Sequence, residues 1–349
     1  MNIFDLVNSK QLATYYLNTM SNRIPYLGST LFPARKQLGL DLSWIKGSNG
    51  LPVALMPSVF DTKATIRDRI GIDKLETEMP FFREAMRIGE KDRQELNKVL
   101  ASANQALIEP IITKIYDDAN NLVAGADVQA ERMIMQLLSS GLIAITANRV
   151  NYDYDYLLAA THKETLLTTA RWSQAATATP IADIQRWQEK IEEDTGVKPT
   201  RAICTRKTWN YVMACDSVKK DMNPVGYANI IVTDAMLQDY LKNKVGLTVA
   251  IYNKKYATAP GGAGTLFFPD EVFTLIPDGD LGNTWFGTTP EESDLLAGNT
   301  DAQVQIVNTG VAITTIKEPH PVNVETIVSA IVLPSFPRID EIFIATVHA

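Results

Sequence analysis

The amino-acid sequence predicts an α+β fold, and three observations carry that reading. Residues 106–144 place apolar side chains at helical spacing, the last fifty residues are rich in β-branched residues, and short helix and strand patterns alternate between 180 and 280. A fourth feature sets the chain apart from an ordinary globular domain. Of the 35 residues 61–95, 17 are charged, in a chain that is 21% charged overall. The apolar residues among them, Ile66, Ile70, Ile72, Leu75 and Met79, follow no clean period, so the segment has little core of its own to join. Either it is disordered, or something outside the subunit orders it.

Composition bounds the remaining possibilities. With 349 residues and 46% hydrophobic content the chain has ample material for a core, which excludes global disorder. A net charge of −7 argues against a protein that grips nucleic acid by its phosphates, since that needs a concentrated basic surface. Two cysteines, Cys204 and Cys215, make no disulfide framework and read as buried thiols in a reducing compartment. The N-terminal residues have no secretory pattern. The uncharged run Met133–Asn148 is broken by Gln136, Ser139 and Ser140 and falls short of the roughly 20 apolar residues of a membrane span.

Taken in order, residues 1–52 read as an arm whose turn formers, PYLGSTLFPARK and KGSNGLP, prevent a long element. Residues 53–80 read as extended. From Phe81 the pattern turns helical, and Arg83 to Glu95 fit a solvated helix face with i,i+4 partners for charges such as Glu84. The span 106–144 is one long helix or two collinear ones, with Gly125 and the capping candidate Asp127 marking a break. VNYDYDYLL alternates as a half-exposed strand, with Val150, Tyr152, Tyr154 and Tyr156 on one face. Thr179-Pro180 starts a helix with Ile184, Trp187 and Ile191 on one face, and Gly196 stops it. Strand TRAICT, helix RKTWNYVMAC, strand NIIVT, helix DAMLQDYLKN and strand LTVAIY follow, so Ile184, Trp187, Ile203, Trp209, Ile231 and Ile251 are expected to be buried together. LFFPDEVFTLIPDGD supplies two short strands broken at Pro269-Asp270, and the C-terminal stretch reads as further strands.

The search for chemistry predicts no catalytic, cofactor-binding or metal-ligating residues. His162, His320 and His348 lie far apart, and THKET at 161–165 is not a zinc-binding HExxH. PGGAG at 260–264 lacks the Lys-Ser/Thr of a phosphate loop and reads as a hairpin connection. SSG at 139–141 lacks the strand-turn-helix setting of a nucleophile elbow. The acidic groups DYD, EED and DGD read as solvated surface, and the scattered tryptophans 44, 172, 187, 209 and 285 as core or interface anchors. A chain with an arm, a charged extended segment, a long helix and no evident active site is laid out to join others.

Three local patterns also carry a resemblance: ERMIMQLLSSGLIAI, TRAICTRKTWNYVMACDSVKKDM and the ending VSAIVLPSFPRIDEIFIATVHA, with VFTLIPDGDLGNTWFG in support. In this order they resemble the major capsid (head) proteins of tailed phages, the lambda capsid protein E family, over most of residues 55–349. The resemblance implies the Hong Kong 97 capsid fold: an N-terminal arm at 1–52, an extended E-loop at 53–90, a peripheral P-domain at 91–175 and 301–349 with a long spine helix, and an axial A-domain at 176–300. It implies a shell of hexamers and pentamers around a phage genome, with a separate scaffolding protein, a portal and, optionally, a decoration protein as partners. It implies no cofactor and no membrane, and DNA held as contents without specific binding. In that fold the E-loop lies across a neighbouring subunit. The residues expected at that contact are Asp61, Lys63, Arg67, Asp68, Arg69, Asp73, Lys74, Glu76 and Glu78. Mixed charge suits the task, because an apolar strand displayed on a free subunit aggregates before it assembles. An encapsulin-like nanocompartment shell protein and a cytosolic α/β enzyme are the alternatives.

Overall fold

The computed structural model describes residues 9–20, 26–46, 73–91, 94, 98, 105–147, 150–227, 230–259, 261–298, 303–319 and 322–348. In chain order it begins with α1 (Ser9–Met20), α2 (Leu27–Leu31), β1 (Ala34–Lys36), β2 (Asp41–Lys46), β3 (Asp73–Glu78), β4 (Phe81–Ile88) and α3 (Gln105–Ser140). The hairpin β5 (Leu142–Ala147) and β6 (Val150–Asp155) follows, then β7 (Lys163–Thr165), α4 (Pro180–Thr195), β8 (Arg201–Cys204), α5 (Arg206–Ala214), α6 (Asp216–Met222) and α7 (Asp234–Val245). The remainder is β9 (Thr248–Ile251), β10 (Lys255–Tyr256), β11 (Thr265–Leu266), β12 (Val272–Ile276), β13 (Asn283–Phe286), α8 (Pro290–Ala297), β14 (Gln303–Val307), β15 (Val311–Pro319), β16 (Val322–Ser335) and β17 (Phe343–Thr346). These elements form two units, one of Met1–Leu42, Glu76–Met133 and Asn283–Ser335, the other of Ser43–Leu75, Ile134–Gly282 and Phe336–Ala349.

The first unit is organised by a six-stranded sheet in the order β1-β13-β16-β15-β14, with β4 also on β16. β16 pairs antiparallel with β15 from Val322↔Pro319 to Ala330↔Val311 and with β4 from Val324↔Ile88 to Ile331↔Phe81. The helical expectation is therefore wrong for Phe81–Ile88, whereas Glu90, Lys91, Gln94 and Lys98 beyond it are helical. FFREAMRI is short, carries no strong helix stripe, and takes the strand form because a long β-branched strand offers it eight residues of ladder. Arg87 sits directly opposite Glu325, 3.9 Å away, which is the cross-strand neighbour of opposite charge that a ladder favours. α8 then clamps the sheet from outside: Thr289 caps it, Glu292 binds Lys36 of β1 at 2.5 Å, and Glu291 binds Arg83 of β4 at 2.5 Å while accepting from Ser329 of β16. Gly287, at the corner before α8, has no room for a side chain. A Cβ there would lie 2.7–2.8 Å from Ile331, the Gly39 carbonyl oxygen and Met79.

The arm contains more structure than its turn formers suggest. α1 buries Leu12, Ala13 and Tyr16 and packs against β14 and β15. Carboxylates of α3 fasten the arm: Tyr15 donates to Asp117 and Tyr16 to Asp127, both at 2.7 Å, and the Gly28 N–H reaches buried Glu131. α3 itself is unbroken across Gly125, so the expected break there is absent. A single glycine costs a helix about 1 kcal/mol, which 36 residues of hydrogen-bonded helix absorb. The helix ends earlier than its apolar pattern does, at Ser140, where Gly141 adopts φ +76°; LIAI beyond it is strand β5.

The second unit is built on a five-stranded sheet, β7-β17-β12-β8-β9, in which β12 is buried along its whole length. α4 follows its predicted limits and stops at Gly196 in the left-handed conformation, although Thr179 caps through its backbone oxygen only. Ile184, Trp187 and Trp209 share one core with Trp172, Phe273 and Phe343, and Ile251 packs against its edge. Two members of the expected set are misplaced. Ile203 is fully buried but lies outside this core, because its strand neighbours Ala202 and Cys204 take the inward positions. Ile231 is 85% exposed, and residues 230–233 form no strand.

Trp209 is fully buried and donates its indole N–H to Asp234 at 2.9 Å. Trp209→Ala is expected to destabilise the protein by about 3–5 kcal/mol through the cavity it leaves. Urea unfolding followed by circular dichroism measures this, and a variant with an unchanged midpoint would show that the tryptophan does not anchor this core.

Candidate subunit interface

The residues that carry reactive groups have structural duties. His162 is buried with its Nε2 2.9 Å from Asp194, whose carboxyl is held below the usual range first by Lys190 and then by His162. Cys204 and Cys215 are free, fully buried and pushed up to about 12 by burial, so neither supplies a thiolate. Ser140 of the SSG stretch hydrogen-bonds the first backbone groups of β5. In DYD, Asp155 caps the turn into Leu157 at 2.8 Å. The DGD turn is gripped by two arginines: Arg201 donates to the Pro277 and Gly279 carbonyls, Arg338 to those of Asp278 and Asp280. Trp172, Trp187 and Trp209 belong to the core. Gly261 turns the connection between β10 and β11, which pair as an antiparallel hairpin. Among the described residues, no group of three or more His, Cys, Asp and Glu is placed to hold a metal, and no helix is long and apolar enough to cross a membrane. His320 lies outside the described residues.

β2 and β3 pair with each other in a two-stranded ribbon, so residues read separately as arm and as charged segment are two sides of one element. The signal in the sequence was slight: Leu42 and Trp44 alternate with Asp41 and Ser43 for only four residues before KGSNG. Of the nine expected contact residues, Asp61, Lys63, Arg67, Asp68 and Arg69 lie outside the described residues. Asp73, Lys74, Glu76 and Glu78 fall on β3. Of these, Glu78 is exposed. The two arginines of 81–88 are employed within the subunit, Arg83 by Glu291 and Arg87 by Glu318 and Glu325.

The arm fastened to a long helix, the charged ribbon and the two α/β units belong to the Hong Kong 97-type capsid fold. The fold matches that of a protein assigned as a prophage capsid protein of Escherichia coli CFT073, with TM-score 0.61 and 13% identity over 98% of this chain and 99% of that one. It also matches a phage-related protein from Bordetella bronchiseptica RB50, with TM-score 0.57 and 13% identity over 97% of each chain. No curated protein matches the chain. Residues 11–347 match the family of phage major capsid protein E, and the chain belongs to that family. It is a major capsid protein, a shell-forming component of the virion.

Near the C-terminus, His348 is buried with its Nε2 3.0 Å from Thr208, and its ring meets Tyr211 edge-on. Thr208 gives its own proton to the Asp270 carbonyl, so the imidazole Nε2–H donates. Burial, the largest influence, lowers the His348 pKa below the ordinary value; Lys207 acts in the same sense and Asp270 and Glu271 oppose it. The unfolded chain therefore takes up this proton first as the pH falls. Stability from neutral His348 is fully present above about pH 6.5 and is lost as the pH drops through the lower folded value. Urea midpoints measured from pH 7.5 to 5 should fall in the parent protein and fall less in His348→Gln; equal slopes would remove His348 as the source.

Proposed function

We propose that the shell is the icosahedral head of a tailed phage, built of hexamers and pentamers of this chain around double-stranded DNA. The observation that carries the reading is membership of the capsid protein E family across residues 11–347. The net charge of −7 supports DNA as contents, since an acidic subunit repels the duplex over a screening length of about 8–10 Å. The chain acts by assembly and not by catalysis. A portal, a separate scaffolding protein and, optionally, a decoration protein are its further partners, and assembly takes place in the host cytoplasm before the virion is released. The same family membership favours the phage head over an encapsulin-like compartment.

Within that shell, residues 61–78 form the contact with a neighbouring subunit through Asp61, Lys63, Arg67, Asp68, Arg69, Asp73, Lys74, Glu76 and Glu78. Internal pairing of Arg83 and Arg87 supports the narrower span, because these two charges are already employed within the subunit. Exposed ion pairs contribute only about 0.2–1 kcal/mol each, yet a shell repeats every contact around every subunit, so small losses suppress assembly steeply.

Light scattering and negative-stain microscopy of the purified chain test the shell directly. Arg67→Glu combined with Arg69→Glu is expected to leave circular dichroism unchanged and abolish shells, with partial rescue when Glu76→Lys and Glu78→Lys are added. Normal shell yield from the double variant at low salt would refute the contact, whereas an unfolded variant would place the segment in the subunit's own core.

A further inference from the structure

Strand edges are the parts of a free subunit most liable to pair with the wrong neighbour, since each presents a row of open N–H and C=O groups. In the second unit two such edges are closed in the same unusual way. Gln136, four residues before the end of α3, donates its Nε2–H to the Ala144 carbonyl at 3.1 Å and accepts from the Ala144 N–H at 3.3 Å. Gln238, on α7, donates to the Val249 carbonyl at 2.7 Å and accepts from the Val249 N–H at 3.3 Å. A glutamine amide carries the same donor and acceptor as a peptide group, so each side chain occupies the place that one residue of an added strand would take.

Both targets are outward positions on edge strands. β9 is the last strand of the five-stranded sheet; Thr248 and Tyr252 send their N–H groups inward to Thr200 and Cys204, which turns Val249 away from the sheet. β5 belongs to a two-stranded sheet with β6, so its far side has no strand among the described residues. There Leu142, another residue of this parity, gives its N–H to the Ser140 hydroxyl at 3.2 Å, one step before Ala144. Neither glutamine is placed to form part of the apolar core. Both are half-buried, and each amide is given to both groups of a single backbone residue.

We propose that Gln136 and Gln238 guard these edges against strand pairing with a second copy of the chain. A shell protein accumulates many identical subunits before they close, and two copies of one edge are complementary to each other in antiparallel register. With Ala144 and Val249 occupied, these two edges are closed to that pairing at the positions the amides cover.

The test uses the full-length chain carrying Gln136→Ala, Gln238→Ala or both, expressed and compared at equal concentration. The double variant should keep its circular dichroism spectrum, lose the larger part of its shell yield, and divert the missing protein into thioflavin-positive aggregates that form faster at higher concentration. Gln136→Glu and Gln238→Glu keep the acceptor, the size and the helix propensity but cannot donate to the carbonyl; they should give an intermediate loss and serve where the alanine variants do not fold. Wild-type shell yield without excess aggregate overturns the proposal. So does a lowered melting temperature without concentration-dependent association, which would show that the amides serve only the fold of their own subunit.

Discussion

Backbone pairing along both sides of a single 14-residue strand, Val322–Ser335, is the constraint on which the first unit depends. For residues 324–330 it is paired with β15 and β4 at once, so every N–H and C=O there is committed to a ladder on one side or the other. This strand draws to one place residues 81–88, about 240 positions before their partners, and residues 283–286, about 50 positions before theirs. The α8 clamp is secondary to it: Glu291 reaches Arg83 and Ser329 only because β4 and β16 already lie side by side. The tight corner at Gly287 follows as well, since its nearest neighbours include Ile331 of the same strand.

Charge is distributed by the same logic. Ladder geometry sets Arg87 opposite Glu325, and the clamp pairs Arg83 and Lys36 with consecutive glutamates of α8. These half-exposed pairs fix register more than they stabilise, because partial exposure to water weakens each one. Their consequence for assembly is subtraction: positive charge that is held inside the subunit is not on offer to another. In the second unit the corresponding economy concerns hydrogen bonds, with Arg201 and Arg338 absorbing four carbonyl oxygens of the Pro277–Asp280 turn.

Much of this was legible in the sequence where local pattern and tertiary demand agree. α4, α5 and α7 follow their apolar stripes and stop signals, β12 and β17 their β-branched runs, and Trp187 and Trp209 their expected burial. Reading failed where the partner decides. FFREAMRI is ambiguous alone and becomes a strand because β16 is there; Ile231 looks like a strand residue but has no strand to join. Gly125 signals a break that the length of α3 overrides, and Gly141, which does end it, sits inside an apolar run that hides the change from helix to strand. The ribbon β2–β3 was missed because its halves are 26 residues apart and too short to show a period. The glutamine plugs left no trace at all, since an ordinary polar helix residue announces nothing about the strand it covers.

The two buried thiols have a practical corollary for the chain as a material. Their thiolate forms are suppressed by burial, and thiolate is the species that disulfide exchange, alkylation and the first oxidation step all require. Sulfur cross-links through Cys204 or Cys215 are therefore disfavoured while the subunit stays folded. A single cysteine placed on an exposed position such as Val225, which is 99% accessible, would then be the one site that maleimide dyes, gold or a tethered ligand address, repeated at every copy.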